Sequence, residues 1–85
     1  MEERIKNGNI VRHFKKEINA GSPMSYTYQV IDINARETDN YERVVIYKAL
    51  YGGGDFFVRK YDEFMSEVDH NKYPNIKQKY RFEVI

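Results

Sequence analysis

Residues 43–59, RVVIYKALYGGGDFFVR, decide the fold of this chain. The first part, residues 43–50, contains a run of β-branched and aromatic residues without strict alternation. Such a run predicts a strand buried on both faces, and therefore a strand inside a sheet. The glycines at 52–54 would destabilise any regular element and predict a turn. Residues 56–59 return as a second strand, so the stretch is a predicted β-hairpin.

Further strand patterns lie on both sides of the hairpin. Residues 10–14 form a short apolar strand before a polar loop rich in Gly, Ser and Asn. Residues 26–35 alternate, but their phase changes near Val30 and Ile31, which predicts a β-bulge. Residues 80–84 alternate again and predict a half-buried final strand.

One short amphipathic helix is predicted after the hairpin. Its apolar residues are spaced at i, i+3, i+4 and i+7, namely Tyr61, Phe64, Met65 and Val68. Residues 1–6 are expected to form one further helical turn, closed by a turn at Asn7-Gly8. Five strands and one helix predict a mainly β domain, either a small SH3-like barrel or a strongly bent antiparallel sheet.

Length and composition set limits on both architecture and function. A chain of 85 residues is one domain, with a core expected over about residues 8–85. Fourteen Lys and Arg against thirteen Asp and Glu give a net charge of +1, which produces no general attraction to nucleic acid or membranes. No apolar run approaches the roughly 20 residues of a membrane span, and the N-terminus lacks a signal-peptide pattern, so we expect a cytoplasmic protein.

The residues also exclude several kinds of chemistry. There is no Cys, which rules out disulfides, thiolate nucleophiles and Cys-ligated zinc. The two His, His13 and His70, have neither H-x-H nor H-E-x-x-H spacing. We therefore expect no metal and no cofactor.

Several short motifs resemble a small bacterial domain family of unknown function. The family pattern runs approximately Y-R-H-F-K, V-Y-x-A-L-Y-G, V-R-P, M-F and R-F. The matching segments here are VRHFK at 11–15, VIYKALYG at 45–52, VR at 58–59, Phe64, and RF at 81–82. The resemblance covers nearly all of residues 8–85 and implies fold context but no activity.

The chain departs from that pattern at two points. Lys60 stands where the family usually has Pro after V-R, and residues 34–38 lack a His that the family often carries. The loop at residues 16–25 also looks longer than usual. Chemistry that depends on the missing His could not be shared by this chain.

The candidate binding surface combines cations and rings near the ends of the hairpin turn. It consists of Arg12, His13, Tyr47, Tyr51 and Arg59. Such a surface is typical of sites for a small anionic or planar ligand. Alternation along the first strand places Arg12 and His13 on opposite faces, which argues against one shared ligand. For the same reason, one of the two neighbouring rings Phe56 and Phe57 is expected to be exposed.

A non-catalytic binding or accessory module is the function that we infer from the sequence, and three alternatives stay open. His13 could serve a small enzyme as general acid or base, although a hydrogen-bonded structural His at a strand end is the simpler explanation of a lone His. A basic segment interleaved with Tyr73 and Tyr80 could contact RNA or DNA backbone; its cations are Lys72, Lys77, Lys79 and Arg81. An exposed strand edge could pair two copies as a homodimer, or bind a protein partner.

Overall fold

A computed structural model describes residues 3–85 and contains five strands and one short α-helix. The strands are β1 (Ile10–His13), β2 (Thr27–Arg36), β3 (Arg43–Ala49), β4 (Phe56–Lys60) and β5 (Phe82–Val84). The helix α1 spans Tyr61–Phe64, and a single 3-10 turn, Phe14–Glu17, follows β1. The predicted mainly β class is confirmed.

All five strands belong to one open antiparallel sheet in the order β4-β3-β2-β1-β5. β1 therefore lies between β2 and β5, with His13 opposite Phe82. β4 and β5 are the two edges, yet the guanidinium carbon of Arg59 on β4 lies 6.0 Å from the ring centre of Phe82 on β5. Side chains of the two edges can meet only because the sheet is strongly bent, as the sequence predicted.

The bend coincides with irregular pairing between β2 and β3. The register shifts between Val30 and Asp32, and again between Asp32 and Ala35. Each shift places an extra residue on one strand, which increases the local twist and curls the sheet. The bulge predicted near residues 30 and 31 is confirmed.

The predicted hairpin at residues 43–59 is also confirmed. β3 pairs with β4 in a continuous register from Val44 opposite Lys60 to Lys48 opposite Phe56. Gly54 has a φ of 73°, a left-handed conformation that L side chains rarely adopt. Its carbonyl oxygen accepts a hydrogen bond from the Lys48 ammonium at 2.9 Å, which ties the turn to β3.

The concave face of the sheet holds an aromatic core. Its buried members are Ile5, Val11, Tyr28, Val30, Val45, Tyr47, Ala49, Phe64 and Phe82. The rings of Phe64 and Phe82 stack with centres 4.1 Å apart and planes 11° from parallel. This contact fixes α1 against β5 and closes one end of the curled sheet.

The helix is shorter than the sequence predicted. α1 ends after one turn at Phe64, and the chain continues extended, with Glu67 bridging Tyr80. Val68 donates its N–H to the Lys79 carbonyl at 2.8 Å, and so is buried in extended rather than helical backbone. These long-range backbone bonds replace the ones that a longer helix would have made. Among the described residues, no helix has the length and apolar character needed to cross a membrane.

The segment before β1 also differs from expectation. Residues 3–6 are irregular rather than helical, and the rest of that predicted turn, Met1 and Glu2, lies outside the described residues. Ile5 is fully buried in the core, and Arg4 donates to the Phe82 carbonyl at 2.8 Å. Anchoring to the sheet outweighs the weak local preference for one isolated turn. The predicted turn at residues 7 and 8 is confirmed, with Gly8 at a φ of 89°.

Truncating Phe82 to Ala should remove the central ring of the core. We expect the free energy of unfolding to fall by about 3–5 kcal/mol in urea denaturation, because a buried ring is lost and a cavity is left. Phe56→Ala is the matched control, since the Phe56 side chain is 63% exposed and its truncation should cost less than about 1 kcal/mol. Equal losses in the two variants would contradict the central role of Phe82.

Candidate functional site

A small pocket opens on the concave side of the sheet, where the bend brings the edges together. Its volume is about 150 Å³. Every strand contributes to it or lies beside it, because the curl directs alternate side chains toward one point. The lining residues are His13, Lys15, Tyr26, Tyr28, Tyr47, Arg59 and Phe82. The pocket thus combines donors and cations with aromatic walls.

His13 ends β1 and is held in one tautomer by the backbone. Its Nδ1 accepts a hydrogen bond from the Lys15 N–H at 3.1 Å, so His13 caps the 3-10 turn that follows. A neutral imidazole with Nδ1 as acceptor carries its proton on Nε2. The Nε2–H makes no hydrogen bond within residues 3–85. Because no buried side-chain nitrogen or oxygen there lacks a partner, Nε2 is not fully buried, and His13 lines the pocket.

The surroundings of His13 strongly favour the neutral imidazole. Burial lowers the pKa of His13 most, and the positive charges of Arg81, Arg59 and Lys15 lower the pKa further, to about 3. All the charged groups acting on the ring are cations. At physiological pH, His13 is therefore a hydrogen-bond donor without charge.

Arg59 on β4 supplies a cation without a carboxylate partner. Its Nε donates to the Tyr47 hydroxyl at 3.3 Å, a long hydrogen bond. None of the ion pairs among residues 3–85 involves Arg59 or Lys15. The remaining N–H groups of the guanidinium are consequently available to a ligand in the pocket.

Tyrosine side chains form much of the wall of the pocket. The Tyr28 hydroxyl bonds to the Tyr51 hydroxyl at 2.8 Å, and burial together with this bond raises the pKa of Tyr28. Tyr26 enters β2 with a φ of 62°, an unusual conformation for a bulky residue. Strained backbone of this kind is often found at functional sites. Here it places the Tyr26 ring at the pocket, 6.1 Å from the imidazole of His13.

Two wider depressions each contain a charged residue that is paired within the protein. One contains Arg43, which forms a salt bridge with Glu3 at 3.3 Å and lies 3.7 Å from the ring centre of Tyr61. The other contains Glu17, whose carboxylate accepts hydrogen bonds from the backbone N–H groups of Lys77 and Gln78, each at 2.9 Å. Arg43 and Glu17 are thus engaged by partners inside the protein. Among residues 3–85, no three His, Asp or Glu side chains are grouped so that they could hold a metal ion.

The structure brings together four of the five residues of the sequence-derived surface. His13, Tyr47 and Arg59 line the pocket, and Tyr51 lies directly behind Tyr28. Arg12 lies apart, on the outer face of β1, where it faces the depression formed with Glu17 and Glu83. Strand alternation anticipated this separation.

The other lining residues were missed by sequence reasoning. Tyr26 and Tyr28 could have been placed together by their i, i+2 spacing in the predicted strand. Lys15 and Phe82 could not, because a 3-10 turn and the pairing of β1 with β5 position them. Both Phe56 (63% exposed) and Phe57 (40%) are accessible, where only one was expected.

The ring of His13 should not titrate near neutral pH. Two-dimensional NMR of its ring carbon and proton should show no inflection from pH 8 down to about pH 4.5, whereas free histidine has a midpoint near pH 6.5. Between about pH 6.5 and about pH 3 the unfolded chain binds a proton here that the folded chain does not. The free energy of unfolding should therefore fall as the pH falls through that window.

His13→Gln should reduce this pH dependence, since the proton-binding group is removed from both states. A midpoint for His13 above about pH 5.5 would contradict the neutral, buried imidazole.

The comparisons with known proteins identify a family but no activity. Residues 9–84 match the model of the family described as a protein of unknown function, DUF1653. No curated protein and no solved structure matches the chain. The match covers most of the 85 residues and confirms the expected resemblance to a family of unknown function. The chain therefore belongs to the DUF1653 family.

Proposed function

We propose that the protein is a non-catalytic binding module whose concave pocket holds the anionic group of a small, partly planar ligand. The observation that carries this proposal is the convergence of Lys15, His13 and Arg59 on one pocket without any carboxylate among its lining residues. Arg59 is half-buried without an ion-pair partner, so an anionic ligand would supply its counter-charge, and Lys15 would add a second cation.

The donors suit a carboxylate or a phosphate. A guanidinium offers two parallel N–H groups that match either anion, and charge-assisted bonds of this kind are about twice as strong as neutral ones. The Nε2–H of His13 adds a neutral donor, which costs less to bury than a charge. Partial burial strengthens the attraction, because the effective dielectric constant is lower than in water.

The size and walls of the pocket limit the rest of the ligand. A volume of about 150 Å³ is below the roughly 300–1,000 Å³ of typical small-molecule sites. It accommodates an anionic head group with a small body, and the rings of Tyr26, Tyr28 and Phe82 favour a flat apolar body. The hydroxyl groups on these walls can also bond to ligand oxygens.

The environment of His13 argues against general acid or base catalysis. Its Nδ1 lone pair is occupied by the Lys15 N–H, and its Nε2 already carries a proton. No carboxylate is hydrogen-bonded to the ring to stabilise the imidazolium that a base would become. These features support a donor role in binding over the alternative enzyme.

The basic segment at residues 72–81 is less suited to stacking nucleic-acid bases. Tyr80 has the Arg4 guanidinium 3.8 Å from its ring centre and the Lys79 ammonium at 5.4 Å. Tyr73 packs its ring against Phe14 with centres 5.0 Å apart. Both rings are already engaged, so we favour a small anion as the ligand.

An amide NMR titration with benzoate, inorganic phosphate and a mononucleotide tests the proposal. We expect at least one probe to shift amides of residues 13–15, 26–28 and 59, and Arg59→Ala should weaken that binding about tenfold, the loss of roughly 1.4 kcal/mol. Arg12→Ala is the matched control, because it removes the same cation from the opposite face and should leave the binding unchanged.

Two results would overturn the proposal. One is binding that Arg12→Ala weakens as much as Arg59→Ala does. The other is the absence of pocket shifts with every probe at millimolar concentration. Shifts with single-stranded RNA confined to residues 72–81 would instead support the nucleic-acid alternative.

A further inference from the structure

The edge strand β4 exposes an unusual amount of apolar surface. Phe56 is 63% exposed, Phe57 40% and Val58 63%. They are consecutive, so apolar side chains are accessible on both faces of the same strand. Soluble monomers rarely leave an apolar edge strand open, because it invites pairing with another chain.

The outer backbone of β4 is available for that pairing. The Ala49 N–H donates to the Asp55 carbonyl at 2.9 Å, which sets the phase of the β3–β4 ladder. In that phase Phe57 and Arg59 bond to β3, whereas the N–H groups of Phe56, Val58 and Lys60 point away from it. No hydrogen bond within the described part of the chain involves those three outward N–H groups. The open side of β4 therefore has the shape and the donors to accept another strand.

The usual protections of an edge strand are weak here. β4 contains neither Pro nor a bulge, and it pairs with β3 in a continuous register. Its only charged residues, Arg59 and Lys60, stand at the end of the strand. Arg59 also points inward to the pocket, so the central part of the edge is left without a repelling charge.

The charges of the edge make it complementary to itself in one orientation. Asp55 precedes β4, and Arg59 and Lys60 end it. Two copies paired antiparallel would place the acidic end of each beside the basic end of the other. Parallel pairing would instead bring Lys60 beside Lys60, which is unfavourable.

The outward N–H groups allow a register centred on Val58. Centring the two-fold axis on Val58 places Val58 opposite its own copy and Phe56 opposite Lys60 of the second copy. Lys60 then approaches an aromatic ring rather than a like charge. The Phe56 ring already has the Lys48 ammonium 5.5 Å from its centre, so cations are accommodated there.

We propose that two copies of this chain associate through their β4 edges, antiparallel and centred on Val58, to form one continuous sheet across a two-fold axis. The interface is separate from the binding pocket proposed above, since its side chains Phe56 and Val58 lie on the outer face of the sheet. A pocket that binds no anion would leave this proposal unaffected.

Analytical ultracentrifugation over about 10 µM to about 1 mM tests the association. The weight-average mass should rise with concentration from 10.2 kDa toward twice that value. Val58→Lys should weaken association at least tenfold, because it sets two ammonium groups face to face on the axis. Ile31→Lys is the control, as it adds the same charge at an exposed apolar residue of β2, away from the edge, and should associate like the native chain.

A mixing experiment tests the register itself. Val58→Glu should also be monomeric alone, but an equal mixture with Val58→Lys should regain association, because opposite charges then meet on the axis. In the native chain, amide hydrogen exchange at Val58 and Lys60 should slow with increasing concentration, a readout that does not depend on the variants folding.

The proposal fails if the native chain stays at 10.2 kDa over the whole range, in which case the edge is left to a segment of another protein. It also fails if Val58→Lys and Ile31→Lys associate equally. Recovery of the mixture no better than that of the single variants would reject the Val58-centred register.

Discussion

The ring of Phe82 is the contact on which the rest of the structure depends. It stacks on Phe64 at 4.1 Å and meets Tyr47 at 5.3 Å and the imidazole of His13 at 4.9 Å. One face of the cluster forms the core and another forms a wall of the pocket. The stability of the sheet and the shape of the pocket therefore share one side chain, and neither can change independently of the other.

The pocket holds an electrostatically unfavourable group of side chains, which the packing of the surrounding core keeps in place. Positive groups surround a buried imidazole, and no carboxylate lies among the lining residues to compensate them. Natural folds tend to violate the rules of charge pairing where function requires it. The left-handed backbone at Tyr26 is a second local cost at the same place. The packed aromatic core beneath the pocket offsets both costs.

Local patterns in the sequence were sufficient for the strands and much of the bend. The hairpin, the bulge near Val30 and the opposite faces of Arg12 and His13 follow from side-chain alternation and turn chemistry. The end of α1 could not be predicted in this way, because the backbone hydrogen bond from Val68 to Lys79 stops the helix. The full set of pocket residues could not be predicted from the sequence either, because His13 contacts Phe82 only through the pairing of strands that are distant in sequence. Residue spacing predicts which side chains of one strand share a face, but this pocket combines side chains from all five strands.

The position of β1 between β2 and β5 has a consequence for the growing chain on the ribosome. Residues 10–13 are made early, but their second neighbouring strand, residues 82–84, is made late. The stack on Phe64 requires Phe82, so the core cannot close while that residue is still in the exit tunnel. Contacts this far apart in sequence also slow folding. Until Phe82 emerges, apolar residues of the unfinished core such as Phe64 stay uncovered, and chaperones that bind short apolar stretches have their best opportunity during this interval.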